Sequence, residues 1–284
     1  MRVAKTLAEF RELRAELPSP VGFVPTMGYL HDGHLSLARM ARTDCASVVA
    51  SIFVNPTQFA PNEDLDAYPR DLARDLELLE GIGTDLVLAP DDNTEIYPEH
   101  DSTWVTVENL TQRLEGGSRP THFRGVATVV TKLFNIVQPD RAYFGQKDAQ
   151  QALVIRRMVR DLMMPIQLIL GPTIREPDGL AMSSRNAYLE PDQRAAAVIL
   201  RKALDLAEHL YNEGERDATT IRQAMMALLD AEPLAQPDYV SIASIDTLEE
   251  LERIEAQALV SLAVKIGLPR LIDNTVLPPG QPLY

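Results

Sequence analysis

Two rhythms of apolar positions alternate along residues 1–173. One consists of short, nearly unbroken apolar runs: VGFVPT from Val21, CASVVASIFVN from Cys45, TDLVLAP from Thr84, RAYFG from Arg141 and PIQLIL from Pro165. In the other, apolar residues recur at helical spacing, as in MRVAKTLAEFRELRAEL, GHLSLARMAR, PRDLARDLELLEGIG, GVATVVTKLFNIVQ and DAQQALVIRRMVRDLM. A strand loses its polar alternation when both faces are covered, so the runs predict buried parallel strands and the periodic stretches predict the helices that cover them. The expected fold class is α/β, a doubly wound parallel sheet. One further strand is expected at 103–107, and the chain's first 17 residues are expected to be helical.

Beyond Arg175 the rhythm changes. Helices are expected at 191–212 and 219–231, and strands around Tyr239 and at 259–266, which together make a smaller α+β lobe. The expected domains are residues 1–173 and 174–284, joined by the polar, aperiodic loop IREPDGLAMSSRNAY, which can serve as a hinge or lid. In an open α/β sheet, ligands bind beyond the carboxyl ends of the strands where the strand order reverses. The loops after Thr26, Asn55, Phe144 and Leu170 are therefore the ones to read for chemistry.

Composition narrows the classes. A net charge of −14 disfavours a nucleic-acid backbone as the main ligand, while leaving room for a small anion in a locally basic pocket. Cys45 is the only cysteine, which excludes a disulfide framework and fits a reducing cytosol. No apolar run approaches the roughly 20 residues that span a bilayer, so a soluble, cytoplasmic protein is expected.

Four motifs carry candidate chemistry. In PTMGYLHDGH, a strand gives way to a helix, and His31 and His34 flank Asp32 and Gly33. Residues three apart at a helix start project from one side, over backbone N–H groups and partial positive charge that suit a phosphate. The competing readings are surface histidines beside a capped turn, or a two-histidine metal site. The second lacks a carboxylate or Cys at ligand spacing. In FVNPTQF, the amides of Asn55 and Gln58 can bind a hydroxyl and a carboxylate without adding charge, although Asn55 reads equally well as a turn residue.

In FGQKDAQQ, Lys147 can meet a phosphate, Asp148 can cap a helix or accept from ribose hydroxyls, and Gln151 lies four residues on from Lys147. In MSSR, Ser183, Ser184 and Arg185 follow Met182 as a mobile grip for an oxyanion, or as a plain hinge. Arg119, His122 and Arg124 of GGSRPTHFRG add positive potential and read equally as a surface turn or a subunit contact.

Taken together, PTMGYLHDGH, SIFVNPTQF, RPTHFRGV, YFGQKDAQQ and DGLAMSSRNAYL resemble the pantothenate synthetase (pantoate–β-alanine ligase) family in order and spacing, across essentially the whole chain. The H-x-G-H turn with the later Ser-rich loop also resembles the wider superfamily of nucleotidylyltransferases and class I aminoacyl-tRNA synthetases. The family resemblance implies a Rossmann-like ATP domain, a C-terminal lid and a homodimer. It also implies a reaction in which (R)-pantoate and ATP give pantoyl adenylate and pyrophosphate, and β-alanine then displaces AMP. ATP contacts are implied for Met27, Gly28, Tyr29, Leu30, His31, Asp32, Gly33, His34, Gly145, Gln146, Lys147, Asp148, Ile174, Met182, Ser183, Ser184 and Arg185. His34, His31 and Lys147 are implied as catalytic, and Gln58 and Gln151 as pantoate ligands. The chain departs from the resemblance at Gln146, where many members of that family carry Glu in a GEKD version of the motif. Mg²⁺ is expected with ATP, its protein ligands unassigned and Asp75 a weak candidate. Two other functions stay open at this point: a nucleotidylyltransferase acting on a phosphorylated acceptor, and a nucleotide-sensing module without turnover.

Overall fold

The structure is a computed structural model that describes residues 1–60 and 65–284. The chain divides into two compact units, one of Met1–Gly145 with Gln150–Gly171, the other of Gln146–Ala149 with Pro172–Tyr284. Among the described residues, no helix is long and apolar enough to cross a membrane.

The first unit is built on a six-stranded, wholly parallel sheet with the order β1-β4-β3-β2-β5-β6. Its strands are β1 (Arg2–Ala4), β2 (Val21–Thr26), β3 (Ser47–Ile52), β4 (Leu86–Leu88), β5 (Arg141–Gly145) and β6 (Gln167–Gly171). Helices α1 (Leu7–Ala15), α2 (Asp32–Asp44), α3 (Leu72–Ile82), α4 (Glu115–Ser118), α5 (His122–Val137) and α6 (Ala149–Asp161) belong to this half of the sequence. Val48, Val49 and Ala50 of β3 are fully buried, as unbroken apolar runs require of a sheet covered on both faces. Val24, Leu35, Ala38, Ala41, Val48 and Leu79 form one core on the α2 and α3 side of the sheet. Strand order reverses between β2 and β5, which pair through Gly22 with Arg141 and Phe23 with Ala142. The crevice beyond the carboxyl ends of these two strands is the switch point, where the α/β rule puts ligands.

The second unit packs α7 (Pro191–Ala196), α8 (Ile199–Asn212) and α9 (Ala218–Asp230) against an antiparallel sheet of β7 (Ala235–Ser244), β8 (Ala258–Ile266) and β9 (Arg270–Leu277). Leu200, Leu204, Ile221, Met225, Val260, Leu262 and Leu271 form its core.

Three local expectations are corrected. Residues 103–107 are not a strand, because Val105 gives its N–H to the Thr128 hydroxyl of α5 at 3.0 Å and no strand among the described residues pairs with them. The N-terminal segment opens with β1, which pairs with β4 before α1 begins at the Thr6 cap. The helix expected at 191–212 is two, α7 and α8, with Ala197 and Val198 between them. A third strand of the small sheet, β9, was not expected: RLIDNTVL breaks its apolar pattern with Asp273 and Asn274, both buried.

Candidate active site

The loop leaving β2 is held from three directions. Thr26 Oγ1 donates to Ser51 O of β3 at 2.7 Å and accepts the Gly28 N–H at 3.2 Å. Gly28 takes φ +82, a left-handed conformation that glycine adopts without penalty. Asp75 of α3, 1% exposed, accepts the backbone N–H groups of Tyr29 and Leu30, each at 2.7 Å. Burial pushes the Asp75 carboxyl above its usual range, against the opposing pull of these two N–H groups and of Arg74. Arg74 also donates to Leu30 O at 2.9 Å. Leu30 itself, 1% exposed, is a core residue whose N–H and C=O are both spent on holding the loop.

That loop delivers the two histidines to the start of α2. His31 is the N-cap: its Nδ1 accepts the Gly33 N–H at 3.1 Å, while the His31 N–H donates to His34 Nδ1 at 3.4 Å. This is a capping box in which both side chains are imidazoles. An Nδ1 that accepts an N–H carries no proton, so each neutral ring keeps its proton on Nε2. The rings lie 4.1 Å apart between centroids, tilted by 42°. Half-buried, with donors at Nε2 and a helix N-terminus beneath them, they suit an anionic oxygen.

A second cluster surrounds the 3-10 turn Pro56–Gln58 beyond β3. Asn55 is 1% exposed: its Oδ1 accepts from Tyr97 Oη at 2.8 Å and Thr57 Oγ1 at 2.9 Å. Its Nδ2 donates to Gly125 O at 3.2 Å and Gln58 Oε1 at 3.1 Å. Asn55 is therefore a fully engaged scaffold, and the turn reading for it is the one the geometry favours. Burial raises the Tyr97 hydroxyl to about 12, which keeps it a donor. Gln58 Nε2 reaches Met27 Sδ at 3.0 Å, so it lies against the loop after β2. Gly125 lets α5 approach this turn, since a Cβ there would sit 2.4 Å from Thr57 O.

Arg119 and His122, which the sequence left undecided, come together here. Arg119 Nη2 donates to Gln58 O at 3.2 Å, and His122 Nδ1 lies 2.9 Å from the same oxygen. They brace the Gln58 backbone. The signal available in the sequence was the dense RPTHFRG cluster, but nothing local tied it to a turn more than 60 residues away.

The remaining candidates lie mainly in the second unit. Lys147 and Asp148 occupy the 3-10 turn Gln146–Asp148, which follows Gly145 at the end of β5. Lys147 Nζ is 3.6 Å from Asp148 Oδ1. Gln146 is half-buried and its backbone carbonyl accepts from Asn274. Gln151 is half-buried in the first turn of α6, in the first unit. Ile174 and Met182 meet across a two-stranded bridge, where Met182 N–H donates to Ile174 O at 3.0 Å and Arg175 pairs with Ala181. Ser183 then caps the turn Ser184–Tyr188 by accepting the Arg185 N–H at 3.3 Å.

Among the described residues, no group of three or more His, Cys, Asp or Glu side chains could hold a metal ion. Asp75, the weak candidate for Mg²⁺, has both oxygens committed to backbone N–H groups. Its position is explained by the loop it holds.

A doubly wound α/β sheet whose switch-point loop ends in a histidine-capped helix N-terminus defines the class: an α/β protein with a paired-histidine turn beyond its central strand. Within that class the chain belongs to the pantoate-beta-alanine ligase family, whose model matches residues 2–276. The pantothenate synthetase of Roseiflexus castenholzii is 59% identical over 277 residues, covering 98% of this chain and 99% of that protein. The pantothenate synthetase of Herpetosiphon aurantiacus is also 59% identical, over 98% of this chain and 100% of its own length. The crystal structure of pantothenate synthetase from Thermus thermophilus superposes with a TM-score of 0.92 at 50% identity, covering 96% of this chain and 98% of that one. Pantoate-beta-alanine ligase from Francisella tularensis, solved in complex with beta-gamma ATP and beta-alanine, superposes with a TM-score of 0.81 at 33% identity, covering 99% of both chains.

Proposed function

We propose that this chain catalyses the ATP-dependent condensation of (R)-pantoate with β-alanine to pantothenate through pantoyl adenylate. The observation that carries the chemistry is the paired-imidazole cap at the switch-point loop, which leaves both ring protons on Nε2 at a helix N-terminus. Family membership supplies the substrates.

In the first step a pantoate carboxylate oxygen attacks the α-phosphorus of ATP, the bond from that phosphorus to the bridging oxygen breaks, and pyrophosphate leaves. The carboxylate is already ionised at neutral pH, so this step needs no general base. It needs positioning and charge balance as the phosphate oxygens gain negative charge. His31, His34 and the α2 N-terminus supply that balance at the loop after β2, with Gly28 and Gly33 admitting the phosphates and Met27, Tyr29 and Asp32 beside them. Lys147 and Arg185 carry positive charge, Gly145, Gln146 and Asp148 border the ribose and phosphates, and Ile174 borders the adenine. Met182, Ser183 and Ser184 extend the phosphate contacts. Gln58, with its backbone braced by Arg119 and His122, and Gln151 bind pantoate. Mg²⁺ enters bound to the triphosphate. In the second step the uncharged amine of β-alanine attacks the acyl carbon, the bond from acyl carbon to oxygen breaks, and AMP leaves. The attacking nitrogen loses a proton as the amide forms, and a histidine side chain is suited to accept it. The assembly proposed is a cytoplasmic homodimer.

Pyrophosphate release tests this reading. With Mg²⁺ and ATP, (R)-pantoate alone should give release, and addition of β-alanine should give pantothenate and AMP. Release that instead requires a phosphorylated acceptor would move the chain to a nucleotidylyltransferase function.

A further inference from the structure

The Gln146–Asp148 turn follows directly from β5, yet Gln146–Ala149 belongs to the second unit. One side chain ties the turn to β9. Asn274 of β9 donates its Nδ2 to two consecutive backbone carbonyls, Gln146 O at 2.9 Å and Lys147 O at 2.8 Å. Fixing two successive carbonyls fixes the peptide planes on either side of the Lys147 Cα, and with them the direction in which its side chain departs. The neighbouring residue holds the other candidate segment. Asp273, its side chain 1% exposed, receives Arg175 in two bonds of 2.6 and 3.0 Å, and Arg175 also donates to Gly179 O at 3.0 Å. Arg175 sits beside Ile174 in the bridge that leads to Met182 and Ser183. Because adjacent strand residues face opposite ways, β9 can hold the bridge with one face and the lysine turn with the other.

The arrangement is costly in stability terms: Asn274 is 4% exposed and its Oδ1 is buried with no hydrogen-bond partner among the described residues. Buried polar atoms are rarely left so, and an apolar residue would avoid the penalty. It could not hold both carbonyls.

We infer that Asn274 is a positioning residue for adenylate formation, acting through Lys147. The inference rests on the proposed function and adds to it a residue of the C-terminal strand. The test is a double-mutant cycle in full-length protein, read as pyrophosphate release with ATP and (R)-pantoate, with melting temperature as a control on folding. Asn274→Ala should lower kcat about 10-fold or more in the parent background, with a much smaller change in the KM for ATP. In a Lys147→Ala background the same change should cost less than about 2-fold, since the group it positions is gone. Asn274→Asp, equal in size but unable to donate to both carbonyls, should behave as the Ala variant does. Additive losses in the cycle, or a parent-like rate in folded Asn274→Asp, would overturn the inference while leaving the proposed function standing. A parent protein that releases no pyrophosphate would overturn both.

Discussion

At the scale of single residues, His34 does two jobs with its two ring nitrogens, and they can be separated. Nδ1 closes the capping box, and in the proposed reaction Nε2 donates to a phosphate oxygen. The Oδ1 of an asparagine occupies nearly the place of Nδ1 and has nothing at the place of Nε2. His34→Asn should therefore keep stability within about 1 kcal/mol, the usual size of a cap. It should slow adenylate formation by roughly 100-fold, the lower range for loss of a positioned proton donor. Urea unfolding and pyrophosphate release measured on the same preparation check both halves, and an unchanged rate would show that His34 is only a cap. The histidines were legible in the sequence because a strand-to-helix turn has a local signature. Asp75 was not, since its two acceptors serve N–H groups 45 and 46 residues earlier in the chain. Nothing in the spacing of an amphipathic helix distinguishes a buried carboxylate with distant partners from a solvated one.

At the scale of elements, α5 is tied to the segment bearing Tyr97 by Lys132. Its Nζ meets Asp101 Oδ2 at 2.5 Å and Ile96 O at 3.0 Å, and lies 4.7 Å from the centre of the Tyr97 ring. Tyr97 in turn donates to Asn55, so the tie supports the Gln58 turn. The hydrogen bond from Lys132 holds the Asp101 carboxyl below its ordinary value. A depressed carboxylate contributes stability above its unfolded value of about 3.9, and loses it as pH falls through the folded value. Lys132→Met should thus destabilise the protein at pH 7, and the gap from the parent should narrow below about pH 4. A remainder should persist from the bond to Ile96. Urea unfolding at pH 7 and pH 3 measures it, and a gap that stays constant or widens would contradict this account.

Elements of the first unit were readable because unbroken apolar runs have few other uses. Residues 103–107 and β9 show where that logic ends. Residues 103–107 carry a strand-like pattern with no pairing strand among the described residues, and β9 carries a broken pattern because Asp273 and Asn274 hold other segments. Polar residues committed to distant partners erase the periodicity that would reveal the strand.

At the scale of the whole molecule, the proposed route activates pantoate as an adenylate and not as an acyl phosphate. The fold places its histidine-capped helix at the switch point, where it suits a nucleotide phosphate, and the family supplies the acid and the amine. Family identity was legible from five motifs spread along the chain, whereas the bracing of Gln58 by Arg119 and His122 required the fold. The most direct measurement uses (R)-pantoate with ¹⁸O in both carboxylate oxygens, turned over with ATP and β-alanine, and mass spectrometry of the nucleotide product. Attack on the α-phosphorus followed by cleavage at the acyl carbon leaves one labelled oxygen in each AMP. Unlabelled AMP, or ADP with the label in inorganic phosphate, would contradict the account.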